Sequence, residues 1–350
     1  MTITEAIKQV VERRSLSVAE DEAVLEQIMT GQCSDAQIAA LLTALRMKGE
    51  TVEEIVGFAR VMRHHATSVR PHSVVSSEIA GTEREALIDT CGTGGDVSGS
   101  FNVSTVTAFV VAGCGVRVAK HGNRSVSSQC GSADVVEALG VRIELEPACI
   151  AACIDEVGIG FLHAPLLHGA MKYVALARRQ MGVRTIFNML GPLTNPAGAN
   201  TQVIGVYAAP LTEMLAEALR ALGSRRALVV HGSDGLDEIS ISAPSKVTEL
   251  TDDRTRTYTV TPEDFGLRRA PLEAIRGGDA RQNSAMILEI LSGVRGPRRD
   301  IALLNAAAAL VAGSRAGDFA EGVRLAADAI DSGKAMLKLQ RLIEFTNQQG

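Results

Sequence analysis

Aromatic residues make up only 3% of this 350-residue sequence and tryptophan is absent, which removes the stacking platforms that hold single-stranded nucleic acids. Positive charge is not in excess either. Lys plus Arg number 35 against 40 Asp plus Glu, a net charge of -5, so the overall field favours neither nucleic acid nor an anionic membrane. No apolar run approaches the roughly 20 residues of a membrane span. The start of the chain (Met1, Thr2, Glu5 and an amphipathic stretch) lacks the basic, apolar and small-residue regions of a secretory signal. These absences predict a soluble, cytoplasmic protein with no nucleic-acid or membrane partner. The six cysteines (Cys33, Cys91, Cys114, Cys130, Cys149, Cys153) form no C-x-x-C pair, so neither a disulfide framework nor a zinc knuckle is indicated. Cys149 and Cys153, one helical turn apart, read as small packing residues. There is no internal repeat and no low-complexity tract.

What is present is organisation. The length suggests two domains, or one large domain with an appendage. The stretch to about Val69 reads as four short helices, because Ser17 with Glu20, Ser34 with Gln37 and Thr51 with Glu54 form capping boxes, and Gly31 and Gly49 stand where helices stop. Residues 67–85 lose periodicity and gain Ser76, Ser77, Gly81 and Thr82, as a linker would. The domains are thus 1–70, all-helical, and 71–350. In the second, β-prone runs at Ala86–Thr90, Val116–Ala119, Val141–Leu145, Ile159–Leu162, Val203–Tyr207 and Ala227–Val230 alternate with helical ones at Val103–Ala112 and Ala133–Leu139. That alternation predicts an α/β domain with a mostly parallel central sheet, covered on both faces. Lys246–Val260 reads as a short β excursion and Asp300–Phe345 as helices.

Glycine is the informative excess, 33 residues, and it clusters after candidate strands. The first strand runs into Gly92-Thr93-Gly94-Gly95-Asp96-Val97, with a helix opening near Asn102, Ser104 and Thr105. Strand, glycine-rich loop and helix N-terminus aim backbone N–H groups at a phosphate. The spacing matches neither a Walker loop nor a dinucleotide fingerprint. The second strand delivers Lys120-His121-Gly122-Asn123-Arg124-Ser125, with a helix capped at Ser132; three potentially cationic side chains around one glycine suit an oxyanion ligand or a solvated basic loop. A third strand ends in His231-Gly232-Ser233-Asp234-Gly235-Leu236-Asp237-Glu238. The adjacent carboxylates read either as Mg2+ ligands completed by substrate phosphates or as capping acids in a turn. A fourth segment, His168 through Arg178 and Arg179 to Pro196, is not assignable from residue types alone.

Taken in order, Gly92-Thr93-Gly94-Gly95-Asp96, Asn102-Val103-Ser104-Thr105, Lys120-His121-Gly122-Asn123-Arg124, Gly131-Ser132-Ala133-Asp134, Arg184-Thr185-Ile186-Phe187-Asn188, Gly191-Pro192-Leu193-Thr194-Asn195-Pro196 and Asp234-Gly235-Leu236-Asp237-Glu238-Ile239 resemble the anthranilate phosphoribosyltransferases along essentially the whole chain. The resemblance implies a nucleoside-phosphorylase/phosphoribosyltransferase-like fold and transfer of the 5-phosphoribosyl group from phosphoribosyl pyrophosphate to the amine of anthranilate. It also implies a homodimer, and a segment at about 170–195 that joins the helical domain in space.

Carried over by position, Gly92, Thr93, Gly94, Gly95, Asp96, Asn102, Ser104, Thr105, Lys120 and Ser132 would hold the donor. Gly92, His121, Asn123, His168 and Arg178 would line the acceptor channel, Arg178 facing the carboxylate and Arg179 being structural. Ser104 with Glu238 would bind one Mg2+, and Asp237 with Glu238 a second. No residue is expected to act as a covalent or acid–base catalyst. The chain departs from the family pattern at Gln129, which follows Ser127-Ser128 where a Lys or Arg is frequent, at Gly169 where Pro is usual, and at Leu176-Ala177 where Pro-Val is common. Two relatives of the same fold compete. A pyrimidine nucleoside phosphorylase would carry Lys-His-Ser-Thr where Lys120-His121-Gly122-Asn123 stands, and a nucleic-acid-binding relative would carry a basic groove.

Overall fold

The computed structural model describes residues 1–73, 85–96, 98–125 and 129–348. Ser76, Ser77, Gly81 and Thr82 of the expected linker, Val97 of the first loop and Val126, Ser127 and Ser128 of the second lie outside them. The chain opens with four helices, α1 (Ile3–Val11), α2 (Val18–Met29), α3 (Asp35–Lys48) and α4 (Val52–His65). The expected capping boxes start α2, α3 and α4, and Thr2 with Glu5, not foreseen, starts α1 in the same way. Each such cap contributes about 1 kcal/mol by satisfying N–H groups that a helix start leaves unpaired. Leu25, Ile28, Leu41, Leu45, Ile55 and Phe58 are fully buried between the helices.

Seven strands follow: β1 (Leu87–Gly92), β2 (Arg117–Gly122), β3 (Ile159–His163), β4 (Thr201–Gly205), β5 (Arg226–Gly232), β6 (Ser245–Thr251) and β7 (Arg254–Val260). They form one sheet in the order β3-β2-β1-β4-β5-β6-β7. The first five are parallel, and β6 and β7 add an antiparallel hairpin at one edge, which accounts for Lys246–Val260. Side chains alternate between faces. Ile88, Val118, Val203, Leu228 and Val230 belong to a core with α5 (Val103–Gly113), α6 (Ser132–Ala138) and the C-terminal helices.

Ile204, Ala227 and Val229 share the opposite core with α2 to α4, with α7 (Lys172–Met181), through Val174 and Ala177, and with α8 (Leu211–Ala221), through Leu215 and Leu219. The helical bundle is therefore seated on one face of the sheet, with α8 between α4 and β5 and with α7 against α2 and α3. The C-terminal part adds the longer helices α9 (Ala280–Leu291), α10 (Pro297–Ala312), α11 (Phe319–Asp331) and α12 (Lys334–Gln348). α10 and α12 both pack on α5. Among the described residues no helix is long and apolar enough to cross a membrane.

One expected strand is absent. Val141 and Ile143 do turn into the core, but the Arg142 N–H donates to Thr346 Oγ1 of α12 at 3.2 Å instead of to a neighbouring strand. Val141–Leu145 is extended yet unladdered, because β3 forms the sheet edge.

Candidate functional site

The chain builds β1, β2 and β3 outward in one direction, then crosses back to place β4 on the other side of β1. The crevice at the carboxyl ends of β1 and β4 is thus the topological switch point, where open α/β sheets bind ligands. The first glycine-rich loop lies there. Thr93 N–H donates to Gly205 O at 2.8 Å, and Tyr207 N–H donates to Thr93 Oγ1 at 3.3 Å, which pins the loop to the end of β4. Gly94 and Gly95 follow with φ of 65° and 83°. Gly94 N–H donates to Asp237 Oδ2 at 3.1 Å, so the loop and the acidic pair are in direct contact.

Close approach explains two glycines. A Cβ on Gly205 would stand 1.5 Å from the Asp237 carbonyl oxygen, and one on Gly92 would stand 2.6 Å from Asp237 Oδ2. A side chain at 205 would collide with the Asp237 backbone and expel the acidic segment from the strand ends, whereas one at 92 would push the Asp237 carboxylate aside.

The helix opening at Asn102 brings the next group in. Asn102 precedes α5 without capping it through its side chain. Its Nδ2 donates instead to Cys130 O at 3.3 Å, and its Oδ1 accepts from Asn283 Nδ2 at 2.9 Å. Lys120, buried on β2, donates from Nζ to Ser104 Oγ at 3.3 Å and to Thr90 O. The Ser104 backbone N–H is near enough to Glu238 to help draw its pKa down. Ser104, Lys120, Asp237 and Glu238 therefore share one recess. The Thr105 hydroxyl is buried and has no partner among the described residues, and Thr105 borders a small interior void with Phe109, Lys120, Val136 and Phe161.

The recess crowds acidic groups together. Burial raises the Asp237 pKa to about 7, reinforced by Asp96 beside it. Burial, then Asp237, raises Glu238, while Lys120 and the Ser104 N–H draw it down. Among the described residues no three His, Cys, Asp or Glu side chains form a preorganised ligand cluster. Two carboxylates and a hydroxyl make a partial, all-oxygen donor set, which suits Mg2+ because that ion keeps sites for water and substrate phosphate. The mutual repulsion of the acids is what a divalent cation would relieve. The residues fit the ion.

The second loop departs from expectation in its charge. Arg124 is held by α6, Nη1 lying 3.1 Å from Asp134 Oδ1 and 2.8 Å from Glu137 Oε2. Burial, then His168 and Lys120, lowers the His121 pKa to about 3. Of the three potential cations only Lys120 brings its charge into the recess. Ser132 is the first residue of α6 and not its cap; Asp134 takes the cap role, accepting from Gly131 N–H at 2.8 Å and Ser125 N–H at 3.1 Å. Ser132 Oγ instead accepts from Asn123 N–H at 3.2 Å, which shapes the turn after β2.

His168 is brought to His121, both buried, and burial lowers its pKa to about 4. Arg178 is half-buried with its guanidinium 5.4 Å from the centroid of the Phe187 ring, whereas Arg179 is exposed. With no proline at Leu176-Ala177, α7 runs unbroken from Lys172 to Met181, and Ala177 is buried against the bundle.

Residue types alone missed the supporting shell. Asp89, fully buried in β1, accepts from His121 N–H at 3.1 Å and from Asn195 Nδ2 at 2.8 Å. A carboxylate in the middle of an otherwise apolar strand was the available signal. Asn283 Oδ1 accepts from Gly278 N–H at 2.7 Å, so α9 holds Asn102 in place; no local pattern marks it.

Comparison with known proteins gives concordant results. Residues 84–336 match the glycosyl transferase family α/β domain and residues 4–66 the helical bundle domain of the same family. An anthranilate phosphoribosyltransferase of Citrifermentans bemidjiense is 55% identical over 349 residues, covering 99% of each chain. The crystal structure of the Thermus thermophilus anthranilate phosphoribosyltransferase is similar with a TM-score of 0.90 at 43% identity, covering 98% of this chain and 99% of that one. The Saccharomyces cerevisiae anthranilate phosphoribosyltransferase in complex with phosphoribosyl pyrophosphate and Mg gives 0.88 at 27% identity, covering 99% and 98%.

Proposed function

Because this chain belongs to the anthranilate phosphoribosyltransferase family, we propose that its strand-end recess transfers the 5-phosphoribosyl group of phosphoribosyl pyrophosphate to the amine of anthranilate. The products are N-(5-phosphoribosyl)anthranilate and pyrophosphate, the second step of tryptophan biosynthesis from chorismate. The observation that carries this reading is the convergence of the Gly92–Asp96 loop, Lys120, Ser104 and the Asp237-Glu238 pair at the β1/β4 switch point.

In this reading Gly92, Thr93, Gly94, Gly95, Asp96, Asn102, Ser104, Lys120 and Ser132 contact the donor, with Thr105 behind them. Ser104 and Glu238 would hold one Mg2+, and Asp237 with Glu238 a second. Bound there, Mg2+ supplies stabilisation of the negative charge that develops on the leaving pyrophosphate. Lys120 acts in the same direction, its charge placed in the recess before that of the leaving group forms. Gly92, His121, Asn123, His168 and Arg178 line the acceptor channel, where the Arg178 guanidinium pairs with the carboxylate of anthranilate. The acceptor is an aromatic amine, neutral at pH 7, so it attacks without a strong base. The residues work by positioning, and no covalent enzyme intermediate forms. We further propose that the protein acts in the cytoplasm as a homodimer.

The test is loss of anthranilate fluorescence on mixing purified protein with anthranilate, phosphoribosyl pyrophosphate and Mg2+. Decay is expected only when donor and metal are both present. A folded protein that gives no decay would overturn the assignment in favour of a binding role for the same fold.

A further inference from the structure

We propose that Arg184 is a positioning residue for the donor: its guanidinium holds the glycine-rich loop with the Asp96 N–H turned toward the pyrophosphate, and ties that loop to the helical bundle. The inference rests on the donor assignment above. Arg184 follows the end of α7, where Gly182, in the left-handed region with φ of 62°, turns the chain back toward the sheet. Its Nη2 donates to the Gly95 carbonyl oxygen. The guanidinium lies close against Gly95, so that a Cβ there would stand 3.2 Å from Nε and 3.4 Å from Nη2. The same guanidinium lies 4.4 Å from the centroid of the Tyr207 ring. Tyr207 in turn grips the loop through its N–H to Thr93 Oγ1, and its phenol lies within the field of Arg46 and Glu50 from the bundle side.

The physical argument concerns one peptide unit. The Gly95 carbonyl and the Asp96 N–H belong to a single planar trans group and point in opposite directions. A cation holding the carbonyl on one side of the loop therefore presents the N–H on the other. Gly94 and Gly95 are both left-handed, a conformation glycine leaves as readily as it enters. Without the guanidinium the carbonyl can rotate toward the donor and oppose its phosphates. Arg184 is itself exposed, so its removal leaves no cavity in either core.

The experiment compares the wild-type protein with Arg184→Met and Arg184→Lys, full-length, by steady-state kinetics, pyrophosphate inhibition and calorimetric binding of Mg2+-phosphoribosyl pyrophosphate without acceptor. Arg184→Met should raise the donor KM and the pyrophosphate inhibition constant together, by about tenfold for one lost charge-assisted hydrogen bond. The kcat and the anthranilate KM should stay within about twofold. Lysine, which donates to a carbonyl but stacks less well on Tyr207, should recover most of the loss. Unchanged donor KM and pyrophosphate inhibition in Arg184→Met, or a shift confined to anthranilate, would overturn the inference. Wild-type protein that fails to bind the donor would overturn the donor assignment itself, a separate result. If Arg184→Met melts below wild type, Tyr207→Leu carries the test. It removes only the stacking partner, and should move the same two constants in the same direction by about threefold; no movement would overturn the inference.

Discussion

The imidazoles of His121 and His168 face each other with ring centroids 5.1 Å apart, and neither Nε2 has a hydrogen-bond partner among the described residues. Both rings are buried, and their pKa values fall to about 3 and about 4. Over the physiological range the proposed acceptor channel is therefore lined by neutral rings with nitrogen atoms free to meet a ligand.

A pH dependence follows from that pair. Between the ordinary histidine value of about 6.5 and the folded values, the unfolded chain takes up protons that the folded one refuses. Stability should accordingly be full above about pH 6.5 and decline as pH falls toward 4, by about 2 kcal/mol for each histidine at pH 5. Denaturant midpoints at pH 7.5 and 5.0 check this, and His168→Gln should narrow the difference. An equal decline in wild type and variant would assign the acid sensitivity elsewhere.

Replacing Glu238 by Gln keeps the size of the side chain and removes the charge proposed to hold both metal ions. The expected loss in kcat/KM is about 10²-fold or more, partly recovered by excess Mg2+, with the Mg2+ activation curve moved to higher concentration. Initial rates across a Mg2+ titration measure it. Unchanged turnover at ordinary Mg2+ would remove Glu238 from the metal site.

Asn283 acts at a distance from the reaction. Asn283→Ala would leave the Gly278 N–H and Asn102 Oδ1 without their partners, a cost of about 1–3 kcal/mol for buried groups. The donor KM should rise several-fold as Asn102 loosens, while the anthranilate KM holds. Thermal melts and separate donor and acceptor titrations distinguish this from general destabilisation, which would lower the apparent kcat and leave both KM values unmoved.

Asp21 gives a stability prediction of the opposite sign. It is fully buried in the helical bundle, neither carboxyl oxygen has a partner among the described residues, and burial, then Glu54, raises its pKa to about 9. The fold therefore favours the protonated form. Stability linked to Asp21 is complete below its unfolded pKa of about 4 and is lost as pH rises toward 9. Asp21→Asn, neutral at every pH, should melt higher than wild type at pH 8 by a margin that shrinks toward pH 5. A margin independent of pH would contradict the assignment.

Much of this architecture was legible because its signals are local. Capping boxes such as Thr51 with Glu54 lie within one helical turn, and β1, loop and α5 are contiguous, so their order is visible in the chain. Val141–Leu145 was misread because β propensity records an extended, half-buried run, whereas a strand also needs a neighbour; here the neighbour is Thr346 on α12. The first glycine-rich loop and the acidic pair were visible as residue types. The charge of the second loop was not, because His121 loses its proton through burial and Arg124 is claimed by Asp134 and Glu137. Asn283 was invisible, its hydrogen bond to Asn102 spanning 181 positions. Tertiary proximity of that kind leaves no trace in spacing.

The contact between Gly205 and the Asp237 backbone has a bearing on how this enzyme can vary. In a saturation library read by tryptophan auxotrophy, position 205 should behave as if it were part of the active site, intolerant even of alanine, although it carries no side chain and is assigned no substrate contact. Such a map would place an apparent catalytic residue where there is only an empty space that must stay empty.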